Sequence, residues 1–104
     1  MERDHGGDGS ISFRRLFTSD DWDGPIDFVD YTVVPPGSSI GLHGHDGNDE
    51  VYLAVSGRAT ASVNGEEHVV GPGDVAVTPS GSTHALRNDG TEPFVMFVVQ
   101  VGHR

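Results

Sequence analysis

The sequence contains no cysteine. Disulfides, thiolate nucleophiles and cysteine-type zinc sites are excluded with it. Lysine is missing as well, since all six basic residues are arginine, and Schiff-base chemistry goes with lysine. No apolar run approaches the ~20 residues needed to span a bilayer. The opening MERDHGGDGS is charged and glycine-rich and lacks the apolar segment of a secretory leader, so a cytoplasmic protein is expected. Positive charge is scarce: 16 acidic residues against six arginines give a net charge of −10. A phosphate backbone must be met by basic side chains, so neither nucleic acid nor an anionic membrane is an expected partner. Helical periodicity is absent too. No stretch repeats apolar residues at three- and four-residue spacing.

What remains is a chain of short alternating segments. Its 104 residues suffice for one domain. Residues 1–10 carry no periodicity and are expected to be a disordered tail, leaving residues 11–104 as a single domain. Strands are expected at 11–17, 26–34, 39–45, 50–56, 58–64, 66–70, 74–79, 83–88 and 93–101. Turn residues separate them, among them Pro35-Pro36-Gly37, Asn64-Gly65 and Gly71-Pro72-Gly73. Asn64-Gly65 is a strong two-residue hairpin signal. Strands with turn signals every 8–12 residues indicate an all-β sandwich or barrel. Strand 93–101, PFVMFVVQV, is apolar throughout and is expected to be buried on both faces. In strand 50–56, Glu50, Tyr52 and Ala54 share the inner side, and Val51, Leu53 and Val55 are expected to pack outward against neighbouring structure.

The stretch from Gly37 to Gly57 concentrates the chemistry. His43 and His45 stand at i and i+2 in one strand and so share a face. Glu50 begins the next strand after the turn-forming run HDGND. Two imidazoles and a carboxylate on adjacent strands suit a first-row divalent ion. His84, after the Pro79-Ser80-Gly81 turn, is a fourth candidate. Four protein donors would leave two positions of a six-coordinate ion open for reaction. Three imidazoles and a carboxylate inside an apolar barrel would be unfavourable without a cation to compensate them. Asp46 and Asp49 are candidates to orient an imidazole, or are simply exposed loop acids. Tyr52, on the face of Glu50, could donate a hydrogen bond or act as a general acid. His5 and His103 fall in expected tails, and His68 sits in an exposed hairpin beside Glu66. Trp22 reads as a packing anchor under the acidic loop 18–25, with a pocket lid or dimer contact as the alternative. Gly37-Ser38-Ser39-Ile40-Gly41 matches the hydrolase elbow pattern, but no helix signal follows it.

These residues resemble the two motifs of the cupin superfamily. Gly37, His43, His45, Glu50 and Gly57 fill the first, and Gly73, Pro79, Gly81, His84 and Asn88 fill the second, at the family's spacing. The resemblance implies a double-stranded β-helix, or jelly-roll barrel. It implies that His43, His45, Glu50 and His84 hold one divalent metal ion (Fe, Mn, Zn or Ni), and that the protein is a homodimer. Uncovered strand edges give a physical reason for the dimer, with strand 11–17 as the expected contributor. The family spans dioxygenases, decarboxylases, isomerases, cyclases, lyases and binding proteins, so the resemblance leaves the reaction open. The leading expectation is a metal-dependent enzyme acting on a small oxygen-bearing substrate, by dioxygenase-like chemistry or by isomerisation, cyclisation or elimination. The alternatives are a module that holds a metal and a small ligand without turnover, and a metal-free epimerase-like barrel using histidine and tyrosine.

Overall fold

The computed structural model describes residues 11–44 and 47–102, with residues 42–44 described by backbone alone. The expected tail 1–10, His5, His45, Asp46 and His103 lie outside the described residues. Nine strands follow in order: β1 (Ser12–Thr18), β2 (Ile26–Val34), β3 (Ser39–Gly44), β4 (Asn48–Ser56), β5 (Ala59–Val63), β6 (Glu66–Val70), β7 (Val75–Thr78), β8 (Thr83–Arg87) and β9 (Phe94–Gly102). The one helical element among the described residues is a 3₁₀ turn at Ser19–Asp21, inside the acidic loop. No helix among them is long and apolar enough to cross a membrane.

The strands form two antiparallel sheets. One has five strands in the order β1-β2-β9-β4-β7, and the other has four in the order β3-β8-β5-β6. This is the all-β two-sheet architecture that the alternating pattern predicts, and the jelly roll that the cupin resemblance implies. The inner faces meet in a single core. Val34, Tyr52, Ala54, Phe94, Met96 and Val98 come from the first sheet, and Ile40, Ala59, Ala61, Val70 and Leu86 from the second. Alternation sets this arrangement, because residues two apart on a strand share a face. β3 runs on into further strand structure, so the strand-to-helix turn that the hydrolase elbow requires is not formed at Gly37–Gly41.

Turns hold the sheets in register. Asn64 and Gly65 take φ of 51° and 82°, the double left-handed geometry of a tight hairpin between β5 and β6. Gly57, at φ 77°, sits where any Cβ would run into the Pro93 carbonyl oxygen. Asn88 is almost fully enclosed. Its Nδ2 donates to Val34 O at 2.9 Å and Glu92 O at 2.8 Å, and its Oδ1 accepts from Gly90 N at 2.9 Å. Two of the motif residues are thus clamps for loops at one end of the barrel.

Two expectations about burial need correction. β9 is deeply buried on one face only: Phe94, Met96 and Val98 are enclosed, while the alternate residues Val95, Phe97 and Val99 are half-buried. The outward residues of β4 also lack cover, with Leu53 40% and Val55 44% exposed. The physical reason is the same for both. The five-stranded sheet has the four-stranded sheet on one side, and none of the described elements lies on the other. Its outer face carries Val29, Tyr31, Phe97, Val99, Val51, Leu53, Val75 and Val77, paired across β2, β9, β4 and β7. The outer face of an antiparallel sheet is ordinarily polar, so this one is apolar on both sides.

Candidate functional site

Register brings the candidate residues together. In the four-stranded sheet β3 pairs with β8, and residue 43 lies opposite His84. In the five-stranded sheet β4 pairs with β7, placing Glu50 opposite Thr78. Glu50 and His84 therefore approach one another from facing layers. His84 Nε2 lies 3.4 Å from Glu50 Oε1, and both side chains are almost fully enclosed.

The surroundings orient the imidazole. His84 Nδ1 is 2.8 Å from Thr78 Oγ1. In the tautomer that puts the lone pair on Nε2, Nδ1–H donates to that hydroxyl, which aims Nε2 toward Glu50. The Tyr52 ring stacks on the imidazole, with centroids 5.4 Å apart and 26° between planes. Thr78 and Tyr52 thus fix the ring by a hydrogen bond at its edge and a contact on its face.

The spacing fits a shared cation. Two donors bound to one ion at ~2.0–2.2 Å lie roughly 3 to 3.5 Å from each other. A direct charge-assisted hydrogen bond would draw the same atoms to ~2.7–2.9 Å, and the observed 3.4 Å is longer. Imidazole nitrogen and carboxylate oxygen are donors for first-row divalent ions. On the face of Glu50, two residues along, Asn48 Oδ1 is buried without a hydrogen-bond partner. A water carried by an ion would satisfy that acceptor. Among the described residues no three metal-type side chains cluster. The side chain of His43 and all of His45 lie outside that set.

Other candidates take plainer places. Asp49 Oδ1 accepts Ser80 N–H at 2.7 Å, tying the start of β4 to the turn after β7. His68 is exposed, 3.8 Å from Glu66. Arg87 points outward and binds Glu67 and Asp89, and holds the Glu67 carboxyl below its ordinary pKa. Trp22 is exposed and meets the edge of Phe17 at 5.7 Å, outside the barrel. Thr78 and Asn48 were not legible as site residues. Thr78 precedes Pro79 as an ordinary strand end, and its role emerges only from its pairing with Glu50. A second polar group was also missed. Arg15 forms a two-pronged pair with buried Asp30, at 2.8 and 3.0 Å, and Asp30 keeps the guanidinium pKa above its ordinary value.

Fold and geometry together define a class: small two-layer β-barrels with a polar centre between the layers. The chain belongs to the cupin family, whose Cupin domain pattern matches residues 30–100. An oxalate-binding protein of Thermotoga maritima is 33% identical over 85 residues, which is 82% of this chain and 70% of that protein. A crystal structure of a predicted oxalate decarboxylase from Thermotoga maritima superposes with a TM-score of 0.94 at 28% identity, covering 98% of this chain and 89% of the other. A Cupin 2 conserved barrel domain protein from Salinispora arenicola gives a TM-score of 0.76 at 33% identity over 90% of this chain and 77% of its own.

Proposed function

We propose that this chain binds a small organic acid at one divalent metal ion held by His43, His45, Glu50 and His84, and that Tyr52 serves turnover of the bound acid. The observation that carries the reading is the enclosed approach of His84 Nε2 to Glu50 Oε1 at 3.4 Å. An imidazole already oriented by Thr78 through its other nitrogen supports it. When bound, the ion (Fe, Mn, Zn or Ni) would supply a positive centre that holds neighbouring oxygens of the acid and makes the group it holds more acidic. Glu50 supplies the anionic donor. Thr78 accepts from Nδ1–H in the His84 tautomer whose lone pair is on Nε2. Tyr52 stacks on His84 and is 7% exposed; in this reading its phenol donates a proton to the bound acid. The name of the Thermotoga maritima relative makes oxalate the first acid to try.

A second reading is a module that binds the acid without turning it over. That relative is named for binding, and this favours it. Titration calorimetry of oxalate into metal-stripped protein and into protein reloaded with Mn(II), Fe(II) or Zn(II) tests both readings. Binding is expected only after reloading, and equal binding by stripped protein contradicts the proposal. Carbon-13 spectra of the reloaded samples then separate the readings: loss of the oxalate signal marks an enzyme, and unchanged, bound oxalate marks a binding module.

The reading includes a homodimer. The outer face of the five-stranded sheet is apolar and nearly uncharged, while the chain carries a net charge of −10. Two copies could bury these faces against each other without bringing their acidic surfaces together. β1, at the edge of the same sheet, lies beside that face. Light scattering is expected to give twice the 11.0 kDa chain mass; a single-chain mass at micromolar concentration contradicts the dimer.

A further inference from the structure

Arg15 is an arginine in an unusual place. The strands alternate, so most charged side chains point outward, yet Arg15 faces inward. Its backbone pairs with Asp30, whose own side chain is enclosed. Its guanidinium lies 4.2 Å from the Phe28 ring centroid, and Phe28 packs against the core cluster. Among the described arginines, Arg14 stacks outward on Tyr31, Arg58 is exposed, and Arg87 is taken up by Glu67 and Asp89. Since the chain has no lysine, Arg15 is the one arginine of the described residues on the inner side and, His84 apart, the only basic group there.

The guanidinium is only partly used. Nε and Nη2 donate to the two oxygens of Asp30. A guanidinium carries five N–H groups in a rigid fork. The edge formed by Nη1 and the second Nη2 hydrogen is left over, and the side chain is 45% exposed. That edge has the same two-donor geometry as the one Asp30 occupies, so it fits a second carboxylate. Asp30 and the Phe28 ring hold the group in place, so little side-chain entropy is lost when it meets a ligand.

Its position relative to the centre is set by the sheet. Across the strands, Phe28 pairs with Gln100, and Gln100 with Glu50. Two interstrand steps of ~4.8 Å place Phe28 roughly 10 Å from Glu50 at the backbone. A di-acid with one carboxylate at the Glu50–His84 centre would run past the Gln100 and Phe28 positions to bring its other carboxylate to Arg15.

From this geometry we infer that Arg15 recognises the second carboxylate of a short di-acid whose first carboxylate sits at the Glu50–His84 centre. The inference rests on the function proposed above and adds the residue that reads the second carboxylate. Neutral diols and mono-acids have nothing to place on Arg15. Asp30 is then a positioning residue that holds the fork at its correct angle.

The test is a calorimetric series on metal-reloaded protein with oxalate, malonate, succinate and acetate. The variants are Arg15→Gln and the double variant Arg15→Gln/Asp30→Asn, the latter chosen because it does not leave Asp30 buried and unpaired. Thermal melts establish that each is folded. Both variants are expected to lose at least about tenfold in affinity for the best di-acid and to keep acetate affinity within about twofold, as removal of one charge-assisted carboxylate contact requires. Arg15→Lys, which keeps the charge and loses the fork, is expected to fall between. Equal affinity for the di-acid in wild type and the double variant overturns the inference while leaving the proposed function standing. A parallel loss for acetate and di-acid overturns it too, since it marks general disruption of the site. If wild-type protein binds none of the four acids, the proposed function fails and this inference fails with it.

Discussion

Glu50→Ala is expected to strip the protein of its metal, lowering affinity by at least about a hundredfold while leaving the barrel folded. Glu50 is the anionic donor of the proposed set, and the imidazoles alone would hold a divalent ion without charge compensation. Metal analysis of wild type and variant purified side by side reads this directly. The melting temperature of the two metal-free proteins separates the metal reading from a structural one. If Glu50 were there to pair with a protonated His84, its removal would leave a buried charge and destabilise the fold by roughly 3–5 kcal/mol. If it is there to bind an ion, the metal-free variant melts at or above wild type, because an enclosed carboxylate has been removed. Thr78→Val, which removes only the hydroxyl 2.8 Å from His84 Nδ1, is expected to weaken metal binding about 10- to 100-fold. Protons compete for the same lone pair. Metal is therefore expected to leave as pH falls through about 6, near the ordinary histidine pKa of ~6.5, and to be retained above it. Full metal content at pH 4 would contradict ligation by neutral imidazole.

The second large effect falls on two motif residues that have no part in the chemistry. Asn88→Ala removes three hydrogen bonds, leaving the buried Val34 O and the part-buried Glu92 O and Gly90 N without their partner. The abandoned buried carbonyl costs about 1–3 kcal/mol, and the two part-buried groups, which water can reach, cost less. The total is a sizeable part of the roughly 5–15 kcal/mol that stabilises a domain of this size. A fall in melting temperature of about 5–15 °C is expected, at about 4–8 °C per kcal/mol. Gly57→Ala is expected to act in the same direction. Residue 57 holds φ 77°, and a Cβ there meets the Pro93 carbonyl oxygen, so the chain crossing between β4 and β5 must shift. Circular dichroism melts measure both. Metal affinity at low temperature is expected to survive each change; its loss at a temperature where the variant is still folded would assign these residues to the site after all.

These two residues show where sequence reading reached and where it stopped. The resemblance to the cupin motifs placed Gly57 and Asn88 alongside His43, His45, Glu50 and His84, yet it did not divide ligands from clamps. Their division depends on what the long connections bring near them, such as Pro93 beside Gly57 and Val34 beside Asn88. The strands were legible because alternation is a local property, and Glu50, Tyr52 and Ala54 do face inward as the period-two rule requires. The meeting of Glu50 with His84 was legible because both belong to spaced motifs. Thr78 and the Arg15–Asp30 pair were not, because their roles arise from cross-strand register between segments far apart in the chain. The error over Leu53 and Val55 has the same origin. Apolar composition says that a face seeks cover, and it does not say which partner covers it.

The central claim is that one ion sits between the two sheets with Glu50 and His84 among its donors. Anomalous diffraction from crystals grown with Mn(II) tests it most directly. The account predicts a single strong peak about 2.0–2.2 Å from His84 Nε2 and from a Glu50 carboxylate oxygen, with His43 and His45 completing the set. A protein that holds manganese only at the exposed His68–Glu66 pair, or that shows no peak between the sheets at saturating metal, would contradict it.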